Sequence, residues 1–155
     1  MLPVAMNRRL LVLAALSLSL PPGLLRAAPA QTIEIITKGG ILVFTVEVAA
    51  GDEQIKKGLS GRKELPAGSG MLLDFRGEVQ AAMNTKDTLI PLDMIFIRAD
   101  GRIHSIAENV EPLSSAQIYS NGAVRGVLEV SGGTSKIFGI AVGDRVAHPI
   151  FRSGR

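Results

Sequence analysis

The residues with the most chemical promise lie in one stretch, Asn84–Ile97 (NTKDTLIPLDMIFI), where a polar cluster runs straight into an apolar strand carrying one carboxylate, Asp93. An unpaired buried carboxylate costs several kcal/mol, so Asp93 needs partners. Backbone N–H groups of an adjacent loop would serve, as would a cation such as Arg62, Lys86 or Arg125. In the first case Asp93 pins a loop to the sheet. In the second, Lys86, Asp87 and Asp93 rim a polar pocket for a small ligand.

Other constellations are weaker. His104 and His148 stand alone, with no H-x-x-x-H pair and no Cys in the chain, whereas a zinc site takes three or four N, S or O ligands. They read as two surface or edge histidines, so no metal and no cofactor is expected. Ser69, in Gly68-Ser69-Gly70, lacks the wider G-x-S-x-G spacing of a nucleophile turn. Asp74, Asp87, Asp93, Glu129 and Asp144 show no spacing that favours a pair of carboxylates for glycoside cleavage. Gly132-Gly133-Thr134-Ser135-Lys136 lacks the second glycine and the trailing Ser or Thr of a phosphate loop, and reads as a turn feeding a short helix. Met71, Met83 and Met94 occupy apolar strand positions and read as core.

The elements that must position these residues follow from periodicity. Gln31–Thr37, the turn Lys38-Gly39-Gly40 and the alternating Ile41–Val48 predict a hairpin, with Leu42, Phe44, Val46 and Val48 on one face. Gly51–Ser60 is the best helix candidate: Asp52 and Glu53 open it, Lys56 and Lys57 close it, and Ile55 and Leu59 form its apolar stripe. Met71–Phe75 and Val79–Met83 predict two short strands separated by a turn at Arg76-Gly77-Glu78. Asp93–Ile97 and Arg102–Ala107 form strands around an Asp100-Gly101 turn. Glu111–Gly122 reads as a long loop, Val124–Ser131 as a strand, and Val142–Ile150 as a last strand region. The sum is mainly β (α+β), a compact barrel or sandwich-like sheet of seven to nine short strands with one or two short helices.

The N-terminus carries an address. Arg8 and Arg9 precede the apolar run Leu10–Leu20, Pro21-Pro22-Gly23 follows, and Ala28-Pro29-Ala30 offers small residues for cleavage before Gln31. Residues 1–30 are therefore expected to be a cleaved secretory signal, with Met1 or Met6 as start, 31–151 a single β-rich domain and 152–155 a polar tail. An eleven-residue apolar run is short of the roughly 20 needed to span a bilayer. The expected location is periplasmic or secreted, with no stable membrane span after cleavage. Residues 31–155 hold 14 basic and 14 acidic residues, although the whole chain is +3. Nucleic-acid binding needs clustered positive charge, and no such run is present, so no nucleic-acid partner is expected.

A resemblance adds to this. Gly58-Leu59-Ser60-Gly61-Arg62, Gly70-Met71-Leu72, Lys86–Ile97 with its I-P-L-D core, Asp100-Gly101-Arg102-Ile103, Val127-Leu128-Glu129-Val130 and Gly143-Asp144 occur in order over about residues 41–147. The chain resembles the domain of unknown function 192 family, also called uncharacterised protein family 0127. The resemblance implies a small, often exported, compact β-rich protein and no established activity, substrate or cofactor. Arg62, Lys86, Asp87, Thr88, Asp93, Glu129 and Asp144 match the family pattern; the first six form the candidate ligand-binding set. Ser60, Leu73 and Asn84-Thr85 depart from it, where the pattern has Met, Phe and Trp-Met.

Three functional classes follow from the sequence. The first is a binding or interaction module of the cell envelope that takes a small polar ligand or an envelope protein. The second is an enzyme acting on an envelope saccharide or polar metabolite with Asp93 or Glu129 as acid or base. The third is a purely structural envelope protein.

Overall fold

A computed structural model describes residues 29–151. The expected leader falls almost wholly, and the tail 152–155 wholly, outside the described residues. Seven strands and two short helices follow in the order β1 (Gln31–Thr37), β2 (Gly40–Ala50), α1 (Asp52–Lys57), β3 (Ser69–Met83), β4 (Leu92–Ile97), β5 (Ile103–Val110), β6 (Ile118–Ser131), α2 (Thr134–Phe138) and β7 (Arg145–Ala147). They form one mainly β sheet with strand order β5-β4-β6-β3-β2-β1-β7. All neighbours are antiparallel except β2 and β3, which pair in parallel from Thr45↔Ser69 to Ala50↔Asp74. The α1 segment supplies the crossover that a parallel pair needs.

The sheet curls into a half-barrel. Its two edge strands meet at one end, where Arg102 bridges Arg145 and the Val146 N–H donates to the Gly101 carbonyl at 2.7 Å. A Cβ on Gly101 would stand 2.5 Å from that Val146 oxygen, and the Gly101 φ of +83° suits glycine. Closure therefore depends on the missing side chain. Ile103 and Val146, one from each edge strand, share a core with Ile33, Ile35, Phe44, Val46, Leu72, Ile95 and Leu128, which identifies that core as the inside of the curl. Phe138 of α2 packs edge-on against Phe44, ring centroids 6.5 Å apart.

A second core lies on the opposite face. Met71, Leu73, Met94, Phe96 and Val127 build it, and Ile55, Leu59 and Leu65 of the crossover cover it. Because β4 is buried on both faces, all six of its residues are buried. This explains why it reads as a continuous apolar run rather than as an alternation.

Three sequence expectations change. Met71–Phe75 and Val79–Met83 are one strand, β3, with a bulge between Asp74 and Val79. Asp74 Oδ1 accepts the Arg76 N–H at 2.7 Å inside the bulge and also pairs with Arg125. The strand continues through the bulge because β6 pairs both halves of it. The Asn121-Gly122 pair lies inside β6, so the loop before that strand ends at Ile118. There Ser120 Oγ accepts the Ala81 N–H at 3.0 Å and donates to the Gly122 carbonyl at 2.7 Å, supplying hydrogen bonds that the irregular backbone loses. The helix over 51–60 is only six residues long, Asp52–Lys57, and Gly58 (φ 43°) ends it. Leu59 still packs in the second core, from the turn that follows.

Candidate functional site

Asp93 is the second residue of β4 and is fully buried. Its Oδ1 accepts the N–H groups of Asn109 (2.7 Å) and Gly133 (2.8 Å), and its Oδ2 accepts that of Ser135 (2.7 Å). Three charge-assisted bonds offset its desolvation and tie the end of β5 and the start of α2 to the sheet. They also settle the Gly132–Lys136 stretch. Two of the amides that would cradle a phosphate there already hold a carboxylate. The cations considered for Asp93 go elsewhere: Arg62 pairs with Glu47 at 2.6 Å, Arg125 with Asp74, and Lys86 Nζ lies 4.0 Å from Asp87 Oδ2.

Glu129 is the opposite case. It lies in mid-β6, directly across from Met71 on β3 and Met94 on β4. Only 4% of its surface is exposed, and its Oε2 has no hydrogen-bond partner. Burial pushes its carboxyl up to about 7. The charged form loses hydration there and gains no compensating bond. A carboxyl with that affinity for protons can both donate and accept at neutral pH.

Glu129 lines a cleft of about 210 Å³ together with Lys56, Lys57, Ser60, Asn84, Asp87 and Thr88. One wall is the end of α1 and the turn after it; the other is the end of β3 and the polar loop that follows. The Gly61 N–H donates to the Asp87 carbonyl at 2.9 Å and joins the two walls. The loop is braced in turn by Thr85, whose Oγ1 donates to the Glu111 carbonyl at 2.5 Å, and by the Thr88 N–H on the Thr85 carbonyl at 2.9 Å. Gly58 sits over Glu129: a Cβ there would lie 3.7 Å from Oε2 and 3.5 Å from the Ile55 carbonyl oxygen.

Of the six candidate ligand-binding residues, the fold thus brings Asp87, Thr88 and Glu129 to one cleft. Lys86 stands beside it and is exposed, its contact with Asp87 long. Arg62 is engaged with Glu47. Asp93 points to the other face of the sheet and is fully used by backbone amides. Asp144, from the wider matching set, accepts the Ala141 N–H with Oδ2 at 2.8 Å and belongs to the turn before β7. Lys56, Lys57, Ser60 and Asn84 were not singled out as site residues by their sequence. Only the parallel crossover, which brings the turn after α1 over Glu129, could have signalled them.

The methionine expectation is met by Met71 and Met94, both buried in the second core, and by Met83, which packs against that core and also lines the cleft. The histidine expectation is corrected for His148, which is buried at 7% exposure. Burial lowers its pKa, and its Nδ1 faces the Ile150 N–H at 3.4 Å. His104 remains near the surface, with Nδ1 against the Arg98 guanidinium and Nε2 against the Asn121 carbonyl. Among the described residues no three His, Cys, Asp or Glu side chains group as a metal site.

Comparison with known proteins places this geometry. The family profile described as DUF192, an uncharacterised ACR, matches residues 34–148. The chain belongs to the DUF192 family. A crystal structure from Sinorhizobium meliloti 1021, of a protein carrying a provisional transcription-regulator name, superposes with a TM-score of 0.78 at 37% identity, covering 81% of this chain and 98% of that one. A protein of unknown function from Novosphingobium aromaticivorans DSM 12444 also gives 0.78, at 30% identity, covering 81% of this chain and 90% of that one. No curated protein matches the chain. Within the DUF192 pattern noted above, Ser60 and Asn84 are departures, and both line the cleft.

Proposed function

We propose that this DUF192 protein is an exported binding module of the cell envelope, with the Glu129 cleft as its site for a small polar ligand. The observation that carries this reading is the unpartnered carboxyl at the cleft, buried yet lining open space. Burying such a group costs stability, and nothing in the local packing offsets it. A ligand that hydrogen-bonds to it would supply the missing partner. The leader-like residues 1–30 and the balanced charge of residues 31–155 support export and a polar, non-nucleic-acid partner. The regulator name of the Sinorhizobium neighbour belongs to that protein; the clustered positive charge that DNA binding needs is not evident in this sequence. No helix among the described residues is long and apolar enough to cross a membrane.

A second reading is favoured by the same carboxyl. A group that titrates near neutral pH suits proton transfer, and an enzyme acting on a saccharide or polar metabolite would use Glu129 as acid or base. Asp93 has no part in that reading, since its oxygens are occupied.

Amide NMR spectra of the protein, recorded with panels of sugars, amino compounds and organic acids, test the binding role. The expected result is shifts confined to Ser60, Asn84, Asp87, Thr88 and Glu129. Silence of these amides across all three panels, or shifts only elsewhere, would contradict it.

A further inference from the structure

We propose that residues 51–61 form a lid over Glu129 that opens when its carboxyl loses a proton. As regulation of a ligand site the lid rests on the reading of the cleft given above; as a motion of the chain it stands apart from that reading. Almost no solvent reaches Glu129 Oε2, and it has no hydrogen-bond partner. The turn after α1 covers it, since a Cβ on Gly58 would lie only 3.7 Å away. A molecule in the cleft meets that oxygen only when the turn is raised.

The cover is lightly built. The α1 helix contributes no buried residue, and its N-cap makes no side-chain bond. Among residues 51–61 only Leu59 is buried, at 2% exposure. Gly51 (φ +109°) and Gly61 (φ +73°) bound the segment in conformations that glycine takes freely, with open space around both. Gln54 Oε1 holds the Ala50 N–H at the near end, 2.9 Å away. At the far end the Gly61 N–H donates to the Asp87 carbonyl at 2.9 Å, and Arg62 pairs with Glu47 in a half-exposed contact.

The charged groups facing Glu129 are Lys56 and Lys57 from α1 and Asp87 from the loop after β3. The β3 and β4 strands present Met71 and Met94; beyond them stand Glu47 of β2, paired with Arg62, and Ala107 of β5. None of these groups donates to Oε2 with the turn closed. A neutral carboxyl tolerates that enclosure, whereas a carboxylate needs water or donors. With the lid down the carboxyl releases its proton at about 7; with the lid up, water returns it toward the ordinary 4.5. The closed form holds the proton more tightly, so opening gains as pH rises from about 4.5 to about 7 and levels off above that. The gain has a ceiling of roughly 300-fold.

Native-state hydrogen exchange on the full chain, in low urea from about pH 5 to about 7.5, tests this. It is read at the amides of Gly58, Ser60, Gly61 and Arg62, which the closed turn bonds to the carbonyls of Gln54, Lys57, Asp87 and Leu59. After correction for intrinsic rates, opening there is expected to exceed that of the β3 and β6 strand amides and to be insensitive to urea. It should rise more than about tenfold over the pH range. Glu129→Gln and Glu129→Met, neither of which titrates, should hold it constant; the second serves if a buried Gln disturbs the fold. Exchange of the four amides only together with the strand amides, and with their urea dependence, would overturn the lid. So would a tenfold rise that persists in both variants. Either of these results, with sugars, amino compounds or organic acids still moving the cleft amides, would overturn the lid and leave the ligand site. A pH-driven turn beside cleft amides silent to all three panels would support the lid and overturn the ligand site.

Discussion

Asp93 and Glu129 stand one register position apart on neighbouring strands and face opposite sides of the sheet. Asp93 lies across from Val130, and Met94 from Glu129. Because side chains alternate along a strand, that single step separates two buried carboxyls into different environments. Asp93 enters the inside of the curl and meets three backbone N–H donors. Glu129 enters the opposite face, under Gly58, where Oε2 meets none. The first carboxyl ties the loops to the sheet; the second keeps a buried oxygen without a hydrogen-bond partner.

Stability should carry the signature of Glu129. Its proton affinity is higher in the folded chain, about 7, than the ordinary 4.5. The stabilisation from holding that proton is full below about pH 4.5 and is lost as pH rises to about 7. The change attributable to this group is on the order of 3 kcal/mol. Urea denaturation of wild type and Glu129→Gln across pH 4.5–8 should show wild type losing stability relative to the variant, with the difference flat above about 7.5.

His148 should act in the opposite direction. Burial lowers its pKa, so the unfolded chain takes up a proton that the folded chain resists. Its contribution is present above about pH 6.5 and is lost as pH falls below that. His148→Gln is expected to flatten the acid limb of the stability curve in the Glu129→Gln background, measured by the same denaturation series. An unchanged acid limb would contradict this role for His148.

Removing the Asp93 carboxyl strands three donors, that of Ser135 in a buried bond and those of Asn109 and Gly133 in partly buried ones. Each unsatisfied amide costs about 1–3 kcal/mol, so Asp93→Ala should lose about 4 kcal/mol or more in urea denaturation. Hydrogen exchange should quicken most at Asn109, Gly133 and Ser135. Uniform exchange across the sheet would count against a local pin.

The two ion pairs should differ. Arg62 and Glu47 are about two-fifths exposed (39% and 40%), so their coupling in a double-mutant cycle should stay under about 1 kcal/mol and fade in salt. Arg125 and Asp74 are more enclosed, at 18% and 11%. Losing one partner there should cost about 3 kcal/mol or more. Equal couplings for the two pairs would contradict the difference in enclosure.

Much of the fold was legible because its signals are local. The Gln31–Val48 hairpin announces itself by alternation around Lys38-Gly39-Gly40, and the Asp100-Gly101 turn by its dipeptide. The requirement that Asp93 find partners followed from burying a charge, and backbone amides supplied them. What could not be read depends on distant partners. Arg76-Gly77-Glu78 is a bulge rather than a turn because β6 spans it, and Asn121-Gly122 stays within a strand for the same reason. Glu129 sits among Val127, Leu128 and Val130, a run that predicts a buried strand and says nothing of the cleft beside it. Lys56, Lys57 and Ser60 reach that cleft because the crossover brings the turn after α1 over Glu129, and Asn84 reaches it from the end of β3. The expected export signal falls almost wholly outside the residues that the structure describes.

The most direct measurement is a carbon-13 NMR titration of the Glu129 side-chain carboxyl in the folded protein, alone and with the panels of sugars, amino compounds and organic acids. The account predicts a midpoint near 7 for the free protein, moving when a panel compound binds the cleft. A midpoint at the ordinary carboxylate value near 4.5, unmoved by every polar probe, would contradict it.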